Sequence, residues 1–278
     1  MPRAASIWEK RTLTPEAIRL DDRVAVVTGA AQGIGEATAL ALARFGAHVA
    51  VCDRKSDGLA ATVEAIEGQG RRCCSAVLDV RDPDAMQHFF ARVGECFGGI
   101  DVLVNNAGGG FWSEFLDVKA KGEDALVREN FTSVTLGIRA AVPLMPAGGS
   151  IINVTSVEAH RAGPGFAIYS AMKAAVANLT MSLSMELAPR RIRVNCIAPD
   201  MIPTPGDADL VNDSAAMQLE GVEPTAWPEE GSVHDCAAAA IYLAGDLSRF
   251  VTGSTLHVDG GTDAAGGWKR KSEGGFRL

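Results

Sequence analysis

The sequence predicts an α/β protein built as a single doubly wound domain, a seven-stranded parallel sheet with helices on both faces. Three observations carry this reading. Short runs rich in Val and Ile alternate with longer stretches of helical period, which is the mark of repeated βαβ units. No linker interrupts the alternation, and 278 residues suit one large core. A glycine-rich turn joins the first apolar run directly to the first helical stretch.

In chain order, the first strand is read at 24–28 (VAVVT), followed by a helix over 33–45 whose Ala and Leu positions favour helix. The second strand, 48–52, leads to a helix at 57–67. The third, 72–78, contains adjacent Cys73 and Cys74, which must point to opposite faces because strand side chains alternate. A helix follows at 82–96, then strand 102–105 and a long helix at 121–144. Strand 150–154 precedes a helix at 167–187, strand 193–197 precedes one at 233–244, and strand 255–258 closes the sheet. Three segments stand outside this rhythm: an N-terminal extension at 1–20, an excursion at 202–227 and a Gly-rich tail at 264–278, which leaves 21–263 as the folded domain. An excursion of that length usually lines a binding site. The tail, with Trp268 and Phe276, is read as either disordered or a surface for self-association.

Composition excludes several function classes. Lys and Arg number 26 against 34 Asp and Glu, for a net charge of −8, whereas a nucleic-acid partner calls for a basic surplus. No segment approaches ~18 uncharged apolar residues, and the opening stretch has charges throughout, so a cytoplasmic protein without membrane attachment is expected. The six cysteines form no CxxC pair and share no ligand spacing with the five histidines, so no metal is expected. Glycine reaches 30 residues, suggesting tight turns or a backbone that approaches a ligand closely. Tyrosine occurs only twice, at 169 and 242.

The first strand runs into Thr28-Gly29-Ala30-Ala31-Gln32-Gly33-Ile34-Gly35 and then a strong helix. A strand, a glycine turn and a helix N-terminus in that order make an anion site, because first-turn N–H groups and the positive end of the helix dipole face outward. Asp53 ends the second strand eighteen residues past Gly35, where a carboxylate accepts from ribose hydroxyls and repels a 2′-phosphate. That favours NAD over NADP. Basic Arg54 and Lys55 beside it weigh the other way, and neutral Gln32 in the turn weighs against a phosphate.

Tyr169 and Lys173 lie four apart at the start of a helix, so they share a face. A lysine ammonium beside a phenol favours phenolate and draws its ordinary pKa of ~10 downward. Ser156 sits just past the fifth strand, at the carboxyl end where doubly wound sheets place ligands. Asn105-Asn106-Ala107-Gly108 ends the fourth strand, and Asn130 stands within the long helix, an unfavourable position by propensity.

These motifs, T-G-A-A-Q-G-I-G, N-N-A-G, Ser156 and Y-S-A-M-K, resemble the short-chain dehydrogenase/reductase family in order and spacing over about 24–261. The resemblance implies a Rossmann-type fold and hydride exchange between a nicotinamide and a secondary alcohol or its ketone, catalysed by Asn130, Ser156, Tyr169 and Lys173. Tyr169 would be the general acid/base, Lys173 would lower its pKa and hold the nicotinamide ribose, Ser156 would orient the substrate oxygen, and Asn130 would complete a proton relay. It further implies that Gly29, Gly33, Ile34 and Gly35 hold the pyrophosphate, Asp53 the ribose, Asp79 and Val80 the adenine, and Asn106, Ala107 and Gly108 the flank of the cofactor. Gln32 and Arg54 complete the expected cofactor set with Pro199, Ile202 and Thr204. Where the family has Pro-Gly, this chain has Pro199-Asp200, and a positive φ at 200 would strain the aspartate.

The substrate is expected to be a small molecule, bulky and hydrophobic, such as a steroid, terpenoid or ring-degradation intermediate. Its wall is read as Phe111, Trp112, Phe166, His160 and Arg161, the last two suited to an anionic or thioester arm. A 3-oxoacyl-thioester reductase is the alternative within the family. An epimerase or dehydratase would need a larger C-terminal domain than the seventeen residues after Gly261, and a non-catalytic nicotinamide-binding protein would not need all four catalytic types. The resemblance also implies a homotetramer formed through the helices bearing Asn130 and Tyr169.

Overall fold

The computed structural model describes residues 13–145, 148–207 and 222–277. Most of the N-terminal extension and the middle of the excursion therefore lie outside the described residues. The main elements are β1 (Val24–Thr28), α1 (Gly33–Arg44), β2 (His48–Asp53), α2 (Ser56–Glu67), β3 (Cys73–Val77), α3 (Pro83–Phe97) and β4 (Val102–Asn105). The second half continues with α4 (Ala120–Val127), α5 (Ser133–Ala141), β5 (Gly149–Val154), α6 (Ala167–Glu186), β6 (Ile192–Pro199), α7 (Val233–Ala244) and β7 (Thr255–Val258).

The seven strands form one parallel sheet in the order β3-β2-β1-β4-β5-β6-β7. The order reverses beside β1, which pairs with β2 on one side and β4 on the other. Such a switch point opens a crevice at the carboxyl ends of the strands. Both faces are covered, so β1 and β4 are buried along their whole length, which is why they read as unbroken apolar runs. One core layer packs Leu42, Leu59, Ile66 and the small Ala239, Ala240 and Ala244 against the sheet. The other packs Met86, Phe89, Phe90, Val93, Ile138 and Val176.

Local chemistry sets the boundaries. Asp82 caps α3 by accepting from the backbone N–H of Asp84 and Ala85, Pro83 opens the helix, and Gly98 ends it at φ 83°. Ser232 and Asp235 form a reciprocal capping box on α7. Cys74 is buried and Cys73 half-buried, as alternation requires.

Two features differ from the sequence reading. The helix expected at 121–144 is broken by a π turn at Arg128–Thr132, because Asn130 Nδ2 donates to Leu126 O at 3.0 Å and to the Gly109 carbonyl at 2.8 Å. The Gly-rich tail forms a hairpin of β8 (Lys269–Arg270) and β9 (Phe276–Arg277). It folds back on the end of the excursion, where Glu223 N donates to Arg270 O at 2.9 Å and Arg270 Nε to Thr225 O at 3.2 Å.

Candidate active site

The glycine turn after β1 has a shape only glycine allows at two points. Gly29 and Gly33 adopt φ of +69° and +62°, and a Cβ at Gly29 would lie 2.8 Å from Ala107 Cα. A Cβ at Gly35 would overlap the Gly29 carbonyl oxygen and Asn106 Nδ2. The turn is held from both sides. Thr28 Oγ1 accepts from the N–H of Asn106 and of Ala107, each at 3.1 Å, and Asn106 Nδ2 donates to the carbonyls of Thr28 and Gly29. Asn106 and Ala107 thereby stand against the turn across the β1–β4 switch point. Thr204, beyond β6, covers it from above, with its Cβ 3.2 Å from where a side chain at Gly33 would begin. The first-turn N–H groups of α1, at Gly33, Ile34 and Gly35, have no helical acceptor of their own. This cradle fits a pyrophosphate.

Asp53, at the tip of β2, accepts from Ala31 N at 3.0 Å and from Lys55 N at 2.9 Å, which pins its carboxylate beside the turn. Its two basic neighbours are held unequally. Lys55 Nζ donates to Gln32 Oε1 at 2.7 Å, and Arg54 lies 4.0 Å from Glu129. Asp79 pairs with Arg81, whose guanidinium holds its carboxyl below the usual range. Val80 is buried in the core below β3, leaving its backbone rather than its side chain for the crevice.

The second half of the site gathers around Lys173. Its ammonium is buried, donates to Val154 O at 3.0 Å, and stands 5.4 Å from the centroid of the Tyr169 ring. Burial pushes its pKa down to about 8, against the opposing pull of Cys196 and Glu129. A Cβ at Gly108 would fall 2.9 Å from Asn130 Oδ1 and 3.1 Å from Lys173 Nζ, so the two side chains converge on a position that must be glycine. Asn130 is fully engaged with backbone: besides its two donated bonds, Oδ1 accepts from Gly109 N at 3.2 Å. Tyr169 packs edge-on to Phe166, with Gly110 against its ring. Ser156 ends the extension of β5, and its Oγ accepts from Glu158 N at 3.2 Å.

Below these groups runs a buried polar chain. Asn105 Nδ2 donates to Asn153 Oδ1 and Asn153 Nδ2 to Thr180 Oγ1, both at 2.8 Å, joining β4, β5 and α6. A satisfied network of this kind fixes the strand ends that carry the site. Pro199 ends β6, and Ile202 is held by Gly231, where a Cβ would lie 2.6 Å from Ile202 Cδ1. The strain expected at Asp200 falls one residue later: Met201 adopts φ 51°, and Asp200 stays out of the left-handed region because its N–H is tied to Val258 O at 3.1 Å.

Sequence reasoning missed several supporting residues. Thr28, Asn153 and Thr180 hold the strand ends, but each depends on contacts distant in sequence. The pair of Arg161 with Asp200 at 3.1 Å was equally hidden. Among the described residues, no group of three or more His, Cys, Asp or Glu side chains is arranged to hold a metal, and no helix is long and apolar enough to cross a membrane.

Comparison with known proteins agrees with this geometry. A family model described as enoyl-(acyl carrier protein) reductase matches residues 29–263. An uncharacterised oxidoreductase of Mycobacterium tuberculosis is 40% identical over 248 residues, covering 87% of this chain and 93% of its own. Human dehydrogenase/reductase SDR family member 4 is 36% identical over 247 residues, covering 87% of this chain and 88% of its own. Among solved structures, a gluconate 5-dehydrogenase from Burkholderia cenocepacia in complex with NADP and tartrate superposes with a TM-score of 0.84 at 33% identity, covering 90% of this chain and 98% of that one. Carveol dehydrogenase from Mycobacterium avium in complex with NAD gives a TM-score of 0.82 at 29% identity, covering 87% and 98%. With its switch-point glycine turn, the Tyr169 and Lys173 pair on α6 and Ser156 just past β5, the chain belongs to the short-chain dehydrogenase/reductase family of oxidoreductases.

Proposed function

We propose that the protein interconverts a secondary alcohol and its ketone with NAD as cofactor. The observation that carries this reading is the buried Lys173 ammonium beside the Tyr169 ring, with Asn130 converging on the same glycine. The nicotinamide, when bound, accepts or supplies the hydride. The chain's own residues manage the proton. Tyr169 takes the alcohol proton in the oxidising direction and returns one to the ketone oxygen in the other. Ser156 holds that oxygen as its charge changes. Lys173 keeps positive charge next to the phenol, and Asn130 fixes the backbone of Gly109 so that the flank of the cofactor stays in register.

Cofactor contacts are assigned to Gly29, Gln32, Gly33, Ile34 and Gly35 at the pyrophosphate, Asp53 and Arg54 at the adenosine ribose, and Asp79 and Val80 at the base. Asn106, Ala107, Gly108, Tyr169, Lys173, Pro199, Ile202 and Thr204 complete the set. The choice of NAD rests on Asp53, whose fixed carboxylate would repel a 2′-phosphate, while the Lys55 ammonium is already turned to Gln32. The substrate is assigned as a bulky, largely apolar alcohol or ketone, on the half-exposed Phe111 and Trp112 near the site. A 3-oxoacyl-thioester reductase is the second reading, favoured by the likeness to a 3-oxoacyl-(acyl-carrier-protein) reductase of Thermotoga maritima, 37% identical over 248 residues. A panel of secondary alcohols and ketones, run in parallel with NAD(H) and NADP(H), tests both. Turnover of apolar ketones with NADH supports the proposal; turnover confined to acyl thioesters with NADPH replaces it.

The exposed Met181 and Met185 on α6 fit burial against a second copy, and a homotetramer in the cytoplasm is the assembly assigned to this chain. Six free thiols accord with a reducing compartment.

A further inference from the structure

The rim of the site carries charges that the proton chemistry leaves unused. Arg161, in the loop between β5 and α6, donates from Nη2 to Asp200 Oδ2 at 3.1 Å. Asp200 directly follows β6, only 18% of its side chain is exposed, and its backbone is anchored to Val258. Glu158, two residues past Ser156, accepts from Ser170 Oγ at 3.2 Å, next to Tyr169 in the chain. Arg161 and Asp200 are both near enough to act on the Glu158 carboxyl electrostatically. One carboxylate, that of Asp200, thus holds the guanidinium between the ends of β5 and β6, with the Glu158 carboxyl farther off. The neighbouring groups do not reverse the balance: the His160 ring lies tilted against that of His257, centroids 4.8 Å apart, and is held below its usual pKa by burial and by that second ring, and His257 lies 4.0 Å from Asp259 and 3.7 Å from Asp263.

We propose that Asp200 is a specificity-determining residue that occupies Arg161 and so restricts the enzyme to uncharged alcohols and ketones, excluding substrates that bear a carboxylate or phosphate near the reacting carbon. An anionic substrate can recruit Arg161 only by breaking the pair, which leaves the Asp200 carboxylate largely buried, unpartnered and beside the incoming anion. An uncharged substrate meets neither penalty. The expectation that Arg161 receives an anionic arm is thereby reversed, and the thioester reading, whose carrier arm is anionic, loses its anchor at this point.

The inference rests on the alcohol and ketone reading above and is tested with a matched pair, 4-methylcyclohexanone and 4-oxocyclohexanecarboxylate. The wild-type enzyme is expected to reduce the neutral ketone with a kcat/KM at least tenfold higher. Asp200→Asn should narrow that ratio by at least tenfold, mainly through a lower KM for the carboxylate, and adding Arg161→Gln should abolish the gain. Equal use of both ketones by the wild type, or a ratio unchanged in Asp200→Asn, overturns the inference while leaving the alcohol and ketone reading intact. An enzyme that binds the dinucleotide and turns over neither these ketones nor any member of the panel brings down both.

Discussion

Replacing Lys173 with Met should make the folded protein more stable while removing its turnover. Burial moves the lysine from 10.5 down to about 8. At ~1.4 kcal/mol per pH unit, that drop is a penalty of roughly 3 kcal/mol on the charged form in the folded state. Methionine fills a similar volume without charge. The Val154 carbonyl loses a donor at 3.0 Å, which returns about 1 kcal/mol. The net gain is about 2 kcal/mol, or a rise in Tm of a few degrees. The sign has a pH signature. Below about 8 the lysine is charged in both folded and unfolded chains and its penalty is complete; from there to 10.5 the folded chain holds fewer protons, so wild-type stability rises with pH. Denaturant melts of both proteins from pH 7 to 10.5 should show the variant ahead at pH 7 and the gap closing toward 10.5. A variant less stable at pH 7, or a gap independent of pH, refutes the burial argument.

Other outcomes follow from the same geometry. Gly35→Ala places a methyl into the Gly29 carbonyl and Asn106 Nδ2, so dinucleotide affinity measured by fluorescence titration should fall by ~100-fold, about 3 kcal/mol from overpacking and lost hydrogen bonds. Asp53→Asn removes the charge facing a 2′-phosphate, and NADPH affinity should improve by about tenfold relative to NADH. Analytical ultracentrifugation should give a mass about four times the chain's 29.1 kDa, and a species of one chain's mass contradicts the tetramer.

The parts of the fold and site that were legible in the sequence are those carried by short-range spacing. Tyr169 and Lys173 four apart on α6, the glycine turn between β1 and α1, and the apolar strands all declare themselves locally. The rest depends on contacts between distant segments. Asn130 was legible as an odd helix residue, but its π turn exists because the same amide reaches Gly109, 21 positions away. The left-handed residue after β6 is Met201 rather than Asp200 because β7 captures the Asp200 N–H, a pairing no local pattern reports. The tail hairpin has strands of two residues each, too short for any alternation to show, and is secured by Arg270 on Glu223 and Thr225. Arg161 looked like a free cation in sequence because its partner Asp200 lies 39 residues on.

In the proposed reaction the Tyr169 phenol moves the proton while the glycine turn independently holds the cofactor. Tyr169→Phe tests it most directly, with nicotinamide absorbance followed against a secondary alcohol that the wild type oxidises and NADH binding titrated in parallel. The expected result is a kcat lowered by at least ~10³-fold with dinucleotide affinity within a few fold of wild type. Turnover retained in that variant would contradict it.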